Sequence, residues 1–314
     1  MPHNSWRPTT SAQALKARAQ LYADIRDFFA QRQVLEVDTP FLAHYGVSDI
    51  HIQCIHVPGY GFLQSSPEYH MKRMLAHGVE SIYQIARVFR DGEQGQRHNP
   101  EFTLLEWYRL GMALPELIQE CVDLLKPILQ LEQVAHYSFR RVFQQHTGLD
   151  PMRASVAELE ARAQGTTQLP ANLTRGELVD WLMATVVEPA LPHDQITVID
   201  RFPGWAAALA QHTQDDDGET VALRFEIYAK GMELANGYQE LTDAQEQAAR
   251  FAQDQQTRKK NGLPPREADH WLLAALEHGL PFCSGVAMGL DRLLMCQLGA
   301  KHINEVISFP FDRA

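Results

Sequence analysis

Three short stretches hold most of the residues whose types and spacing could do chemistry. In EFTLLEWY (101–108), strand alternation puts Phe102, Leu104, Glu106 and Tyr108 on one face and Thr103, Leu105 and Trp107 on the other. A buried carboxylate needs a cationic partner, so a face mixing a ring, a carboxylate and a phenol is poor core material. It suits a planar base and an ammonium group. Taken alone, a solvated sheet face with a surface ion pair explains it equally well. In FEIYAKGMELANGYQEL (225–241), Glu226 and Glu233 bracket a turn and can face each other across a hairpin, while Asn236 and Glu240 share a strand face. Surface solvation explains one or two of these groups, less easily all four, and together they suggest Mg²⁺ ligation plus amine recognition. Strict alternation sets Glu233 and Asn236 on opposite faces, and a bulge near Asn236-Gly237 would reconcile them. In SGVAMGLDR (284–292) a glycine-lined strand meets a helix N-terminus, where exposed N–H groups and the dipole favour an anion. Arg292 in that first turn opposes the dipole, which makes sense beneath a polyphosphate.

Recognisable elements surround these stretches. The stripe Leu15, Ala19, Tyr22, Ile25, Phe28 and Phe29 predicts a helix over 12–33. VLEVDTPFL reads as a strand ending at Pro40, and residues 61–65 as a short strand. Pro67 opens a helix that stops at Gly78, with Ser65 or Ser66 as its cap. SIYQIARVFR and EFTLLEWYR form a long hairpin across the polar loop DGEQGQRHNP. A helix follows at 114–131, and the stretch 136–200 reads as a helical insertion or support layer. A second hairpin turns at Lys230-Gly231, helices return at 243–260 and 267–278, and a closing strand runs into a last helix. Hairpin strands with segregated helices predict an α+β fold, a mostly antiparallel sheet flanked by helices, as one domain over 1–314.

Composition narrows the function. The 314 residues are 45% hydrophobic and 21% charged, which suits a globular chain with a sizeable core. The net charge of −11 disfavours extensive nucleic-acid binding, because each phosphate contact calls for Lys or Arg. Cys54, Cys121, Cys283 and Cys296 have no ligand spacing and read as reduced thiols, and the 14 histidines do not cluster into a zinc site. The polar opening MPHNSWRPTT lacks a signal-peptide core, and no apolar run reaches a membrane span, so the expected location is cytoplasmic.

In this order, the pieces resemble the class II aminoacyl-tRNA synthetase core. VLEVDTP is similar to its motif 1, VFRDGEQGQRHNPEFTLLEWY to motif 2 and GVAMGLDRLLM to motif 3. RHNPEFTLLEWY and FEIYAKGMELANGYQELTDAQEQAARF resemble lysyl-tRNA synthetase in particular, and the likeness runs from residue 12 to 314. The resemblance implies ATP and Mg²⁺ as cofactors. It implies Arg90 on the α-phosphate, Arg292 on the γ-phosphate and Phe102 under adenine, with Asp91, Gly92, Glu93, His98, Asn99, Leu234 and Gly289 also at the nucleotide. Glu226 and Glu233 become the Mg²⁺ ligands, with Glu233 also at ATP. Ser66, Pro67, Glu68 and Ala287 fall at the substrate backbone, and Glu106, Tyr108, Asn236 and Glu240 at its side-chain amine.

Three departures shape the expectation. The synthetase core starts almost at once, with no anticodon-binding domain, so tRNA charging is not expected. Motif 2 reads Arg90-Asp91-Gly92 with Glu93 displaced, where Arg-x-Glu is usual. Ala287 and Ser66 stand where Gly and Ala are usual, which reshapes the pocket for a relative of lysine. The combination resembles a family of truncated lysyl-tRNA synthetase paralogues that act on elongation factor P. Membership implies activation of (R)-β-lysine as an adenylate, transfer to a lysine ε-amine on elongation factor P, and a homodimer through motif 1 and Pro40. The alternatives are a stand-alone tRNA aminoacylase, a small-molecule amide synthetase and an inactive regulatory paralogue, the last opposed by the presence of Arg90, Arg292 and both carboxylates.

Overall fold

The computed structural model describes residues 6–50, 52–165 and 169–314, so the first five residues of the polar opening and three positions within 136–200 lie outside the described residues. The chain divides into two compact units, Met1–Ala113 with Leu241–Ala314, and Leu114–Glu240.

The first unit opens with α1 (Ala12–Gln31), β1 (Leu35–Glu36), β2 (Leu42–Ala43), β3 (His56–Val57), β4 (Gly61–Leu63), α2 (Glu68–Ala76), β5 (Ile82–Phe89) and β6 (Glu101–Leu110). Ser11 caps α1 by accepting from the Ala14 N–H. The buried stripe of α1 is Ala14, Leu21, Ile25 and Phe29, and Leu15 is exposed. It is rotated from the expected stripe, and the partly buried Arg18 lies between Ala14 and Leu21 with a partner, Asp291, that only the fold supplies. The expected strand over VLEVDTPFL is two separate pieces, β1 beside β5 and β2 beside β4. Between them Pro40 has no N–H for a ladder, and the Thr39 hydroxyl donates to Gln84 Oε1 at 2.9 Å.

The second unit comprises α3 (Leu114–Leu129), β7 (Val134–Ser138), α4 (Phe139–Thr147), α5 (Val156–Ala163), α6 (Arg175–Leu182), β8 (Ile196–Pro203), β9 (His212–Gln214), β10 (Thr220–Ala229) and β11 (Met232–Gln239). Its strands run β11-β10-β8-β7, with β9 on β10. The stretch 136–200 is helical in its middle but framed by β7 and β8, which the sequence reading did not foresee. These two strands are parallel, and parallel strands need a crossover. α4–α6 provide it, with capping boxes at Ser155/Glu158 and Thr174/Glu177. Phe139, Phe143, Leu159, Leu178 and Leu182 pack with Ile199 and Phe202 to form its core.

The chain then returns to the first unit through α7 (Ala244–Lys260), α8 (His270–Gly279), β12 (Cys283–Gly289) and α9 (Leu290–Leu298). Strand order there is β1-β5-β6-β12, antiparallel except for the β1–β5 edge. The face carrying Tyr83 and Trp107 is covered by α1: Phe29 stacks on Tyr83 at 4.3 Å and meets Trp107 edge-on at 5.4 Å. The α+β expectation therefore holds in each unit. Among the described residues no helix is long and apolar enough to cross a membrane.

Candidate active site

In the first unit, register fixes what shares the opposite face of β5, β6 and β12. Glu106 lies between Gln84 and Ala287, Tyr108 between Ile82 and Gly285, and Leu104 between Ala86 and Gly289. Glycine and alanine beside the two polar groups keep that face shallow. Glu106 is buried and accepts from the Tyr108 hydroxyl at 2.6 Å and from Ser66 Oγ at 2.8 Å. Ser66 Oγ also accepts from the Glu68 N–H at 3.0 Å, but the N-cap position of α2 is Pro67 and not the expected serine. Lys72, one helical turn on and buried, places Nζ 2.7 Å from Glu68 Oε1. Ser66, Pro67, Glu68, Glu106, Tyr108 and Ala287 are thus drawn into one neighbourhood.

The loop after β5 and the start of α9 assemble a cationic cluster. The Arg90 guanidinium lies 5.0 Å from the Phe102 ring centroid and 3.6 Å from Glu93, and its buried Nε has no hydrogen-bond partner. Arg292 Nη2 is 2.6 Å from His98 Nε2. Partial burial, then the charge of Arg292 with those of Arg90 and Arg97, holds His98 below the ordinary imidazole range against the opposing pull of Glu93. The ring is therefore neutral, its Nε2 accepting from Arg292. Arg90, Arg97 and Arg292 around one imidazole give this loop a local excess of positive charge, which favours an anion. Gly289 is the N-cap of α9, and an added Cβ would meet only the Arg292 stem at 3.9 Å. The chain itself does not require glycine there, which fits close approach of a ligand.

The supports of this cluster were mostly invisible in the sequence. Asp291 accepts from the Thr103 N–H at 2.7 Å and pairs with Arg18 at 2.5 Å, tying α1 and α9 to β6. Asn99 spends both ends of its amide on the backbone, donating to the Glu101 carbonyl at 2.7 Å and accepting from the Phe311 N–H at 2.9 Å. It braces the loop that carries His98. At the other end of the loop, the Asp91 N–H donates to the Gln53 carbonyl at 2.7 Å, beside the left-handed Gly92. Arg258 and Arg266 hold that neighbouring segment by donating to the carbonyls of Asp49, Val47 and Ile52.

In the second unit, Lys230 and Gly231 both have positive φ (50° and 76°), the signature of the tight turn expected there. The register pairs Glu226 with Asn236 and Tyr228 with Glu233, shifting by one residue at Leu234. The bulge thus falls before Asn236, not at Asn236-Gly237. It has the effect the sequence called for: Arg224, Glu226, Tyr228, Glu233, Asn236 and Tyr238 share one face. Glu226 and Glu233 are diagonal neighbours, not directly opposed. Glu226 is buried and accepts from Arg224 at 2.5 Å, from the Tyr228 hydroxyl at 2.5 Å and from Asn236 Nδ2 at 3.3 Å. Burial raises its pKa, Arg224 opposes this, and the charge of Glu233 adds to it. Asn236 Oδ1 is buried without a partner, and the buried Glu240 bridges to Ala210 just beyond β11.

Residues 2–313 match the family of tRNA synthetases class II (D, K and N). The chain belongs to that family. A protein of Mannheimia succiniciproducens named elongation factor P–(R)-beta-lysine ligase is 47% identical over 320 residues, covering 99% of this chain and 98% of the relative. The protein of that name from Pasteurella multocida is also 47% identical over 320 residues, with the same coverage. The one from Avibacterium paragallinarum is 44% identical over 324 residues and covers both chains fully.

The chemistry of Glu226 and Glu233 fits Mg²⁺. Two repelling carboxylates on one face of β10–β11 supply hard oxygen, and a cation between them would relieve the repulsion that raises Glu226. Among the described residues no three acidic, His or Cys side chains cluster, but Mg²⁺ is commonly held by one or two carboxylates with substrate phosphates supplying the rest. Lys72, Arg97, Arg18, Arg224 and Tyr228 are the partners that sequence reasoning missed. Three carried a local signal: Lys72 is one turn from Glu68, and Arg224 and Tyr228 are two residues either side of Glu226.

Proposed function

We propose that this chain is a ligase that activates (R)-β-lysine as an adenylate with ATP and transfers the acyl group to the ε-amine of a lysine on elongation factor P. The observation that carries the reading is near full-length identity, 44 to 47%, to relatives bearing that name. Local geometry supports each role. The unpaired Arg90 Nε and the Arg292 guanidinium suit a triphosphate, with Phe102 beneath adenine. Arg90 stabilises the charge that develops when the amino-acid carboxylate attacks the α-phosphorus and pyrophosphate leaves. Glu226 and Glu233 would hold Mg²⁺, which neutralises phosphate charge when bound. Glu106, oriented by Ser66 and Tyr108, suits the side-chain ammonium. In the transfer step the neutral acceptor amine attacks the adenylate carbonyl. The C–N bond forms, the C–O bond to AMP breaks, and the amine proton passes to solvent or the departing phosphate.

The family match over residues 2–313 supports treating both units as parts of one catalytic domain, with 136–200 as its support layer. Exposure of Leu35, Phe41 and Leu42 around Pro40 supports a homodimer through this segment, and the location proposed is cytoplasmic.

The test incubates the protein with ATP, Mg²⁺, candidate lysines and elongation factor P, followed by intact and peptide mass spectrometry. The expected result is one acyl group on one lysine, lost when that lysine becomes Arg, with no charging of bulk tRNA and no activation of norleucine. Arg90→Ala and Arg292→Ala should each lower amino-acid-dependent pyrophosphate exchange at least about 100-fold, roughly 3 kcal/mol. Efficient tRNA charging with an unmodified factor would overturn the reading.

A further inference from the structure

The α2 helix buries Tyr69, Met71, Leu75 and Ala76, and among them a lysine. Lys72 is 2% exposed, and lysine is almost never buried to that extent without a partner. An apolar side chain would suit this face of α2, and buried ion pairs are often replaceable by packed apolar groups without loss of stability. Nor does the start of the helix depend on Lys72, because Ser66 already accepts from the Glu68 N–H and Glu68 already sits at the favourable end of the dipole.

The geometry around Glu68 gives the ammonium a different purpose. Lys72 Nζ lies 2.7 Å from Glu68 Oε1, whereas Oε2 has no protein partner among the described residues. The Glu68 side chain keeps 15% of its exposure, so the carboxylate is both reachable and half-claimed. Glu68 is also coupled to Glu106: its N–H donates to Ser66 Oγ, which donates to Glu106 Oε2. The hydroxyl ties the Glu106 carboxylate to the Glu68 backbone, so the two carboxylates keep a set separation only if the Glu68 side chain cannot swing. Lys72 is what holds it.

We propose that Lys72 is a positioning residue for recognition of a diamino acid. It pins one oxygen of Glu68, leaves the other for the amine nearest the reacting carboxylate, and so fixes the spacing between the two ammonium subsites at Glu68 and Glu106. This rests on the proposed function, which supplies a substrate carrying two amines. Lys72 acts through Glu68 and touches no reacting atom.

The experiment compares wild type, Lys72→Met and Lys72→Gln in amino-acid-dependent pyrophosphate exchange. KM is measured separately for the amino acid and for ATP, with lysine-type substrates and analogues one methylene shorter. The expected result for Lys72→Met is an amino-acid KM at least tenfold higher and an ATP KM within twofold of wild type. Its preference for the full-length diamine should also shrink severalfold. Lys72→Gln, which keeps an N–H donor for Oε1, should fall between the two in both respects. An amino-acid KM within twofold of wild type in Lys72→Met would overturn the proposal. So would parallel increases in both KM values, which mark a structural defect. If Lys72→Met does not fold, Lys72→Gln decides by the same two criteria. Failure of wild type to exchange with any lysine-type amino acid would instead remove the functional reading, so the two failures are told apart.

Discussion

At the scale of single residues, the loop after β5 and the start of α9 are governed by charge brought together around His98. The unfolded chain titrates this imidazole near the usual value of about 6.5, whereas partial burial and the adjacent guanidinium groups hold it lower in the folded protein. The unfolded state therefore binds more protons between these two values. Stability that depends on a neutral His98 is complete above about pH 6.5 and is lost as pH falls below it. In thermal melts from about pH 7 to about pH 5, wild type should lose more Tm than His98→Gln, whose amide oxygen can still accept from Arg292. Parallel Tm profiles would show that His98 is not held in its neutral form.

At the scale of elements, one largely buried ion pair ties two helices of the first unit together. Arg18 on α1 and Asp291 on α9 have side chains 13% and 3% exposed, and Asp291 also accepts from the β6 backbone at Thr103. Removing one partner of a buried pair leaves an uncompensated charge, a cost of about 3–5 kcal/mol, whereas replacing both with apolar groups can be near neutral. Asp291→Ala should thus be strongly destabilised in urea melts, and Arg18→Met/Asp291→Leu should recover most of the loss. A cost below about 1 kcal/mol for Asp291→Ala would mean that the pair does not hold these elements together. The β10–β11 hairpin has a steric analogue of this dependence at its tip. A Cβ on Gly231 would lie 2.8 Å from His193 Nε2, so that turn needs glycine for space as well as for its positive φ.

At the scale of the whole molecule, charge and exposed apolar surface set the partners. A net charge of −11 opposes approach to a tRNA backbone, whereas a folded protein presenting one lysine needs no basic surface. Leu35, Phe41 and Leu42 are exposed on either side of a segment with a proline and little strand structure, a place where a second copy would bury them. The proposed homodimer predicts that Phe41→Asp shifts sedimentation from dimer to monomer without changing the circular dichroism spectrum. A wild type that sediments as a monomer across the micromolar range would remove the dimer.

Local rules made much of this protein legible. The hairpin turn at Lys230-Gly231, the long β5–β6 hairpin, the start of α2 after Pro67 and the β12–α9 junction follow from turn chemistry, side-chain period and capping, which depend on residues close in sequence. Candidate site residues could be proposed for the same reason, since each set lies within one hairpin, loop or junction. Tertiary structure decided the rest. β7 and β8 are parallel strands about 60 residues apart, and nothing local to either announces such a partner. The register of β10 against β11, and not alternation, placed the bulge at Leu234 and so put Glu233 on the face of Asn236. Arg18 lay outside the expected stripe of α1, and its partner Asp291 comes from the other end of the chain. Asn99, read as a nucleotide contact, spends its amide on the backbone at Glu101 and Phe311. A charged or amide side chain shows its type in the sequence, but its role is set by the partner that satisfies it, and that partner is chosen by packing at long range.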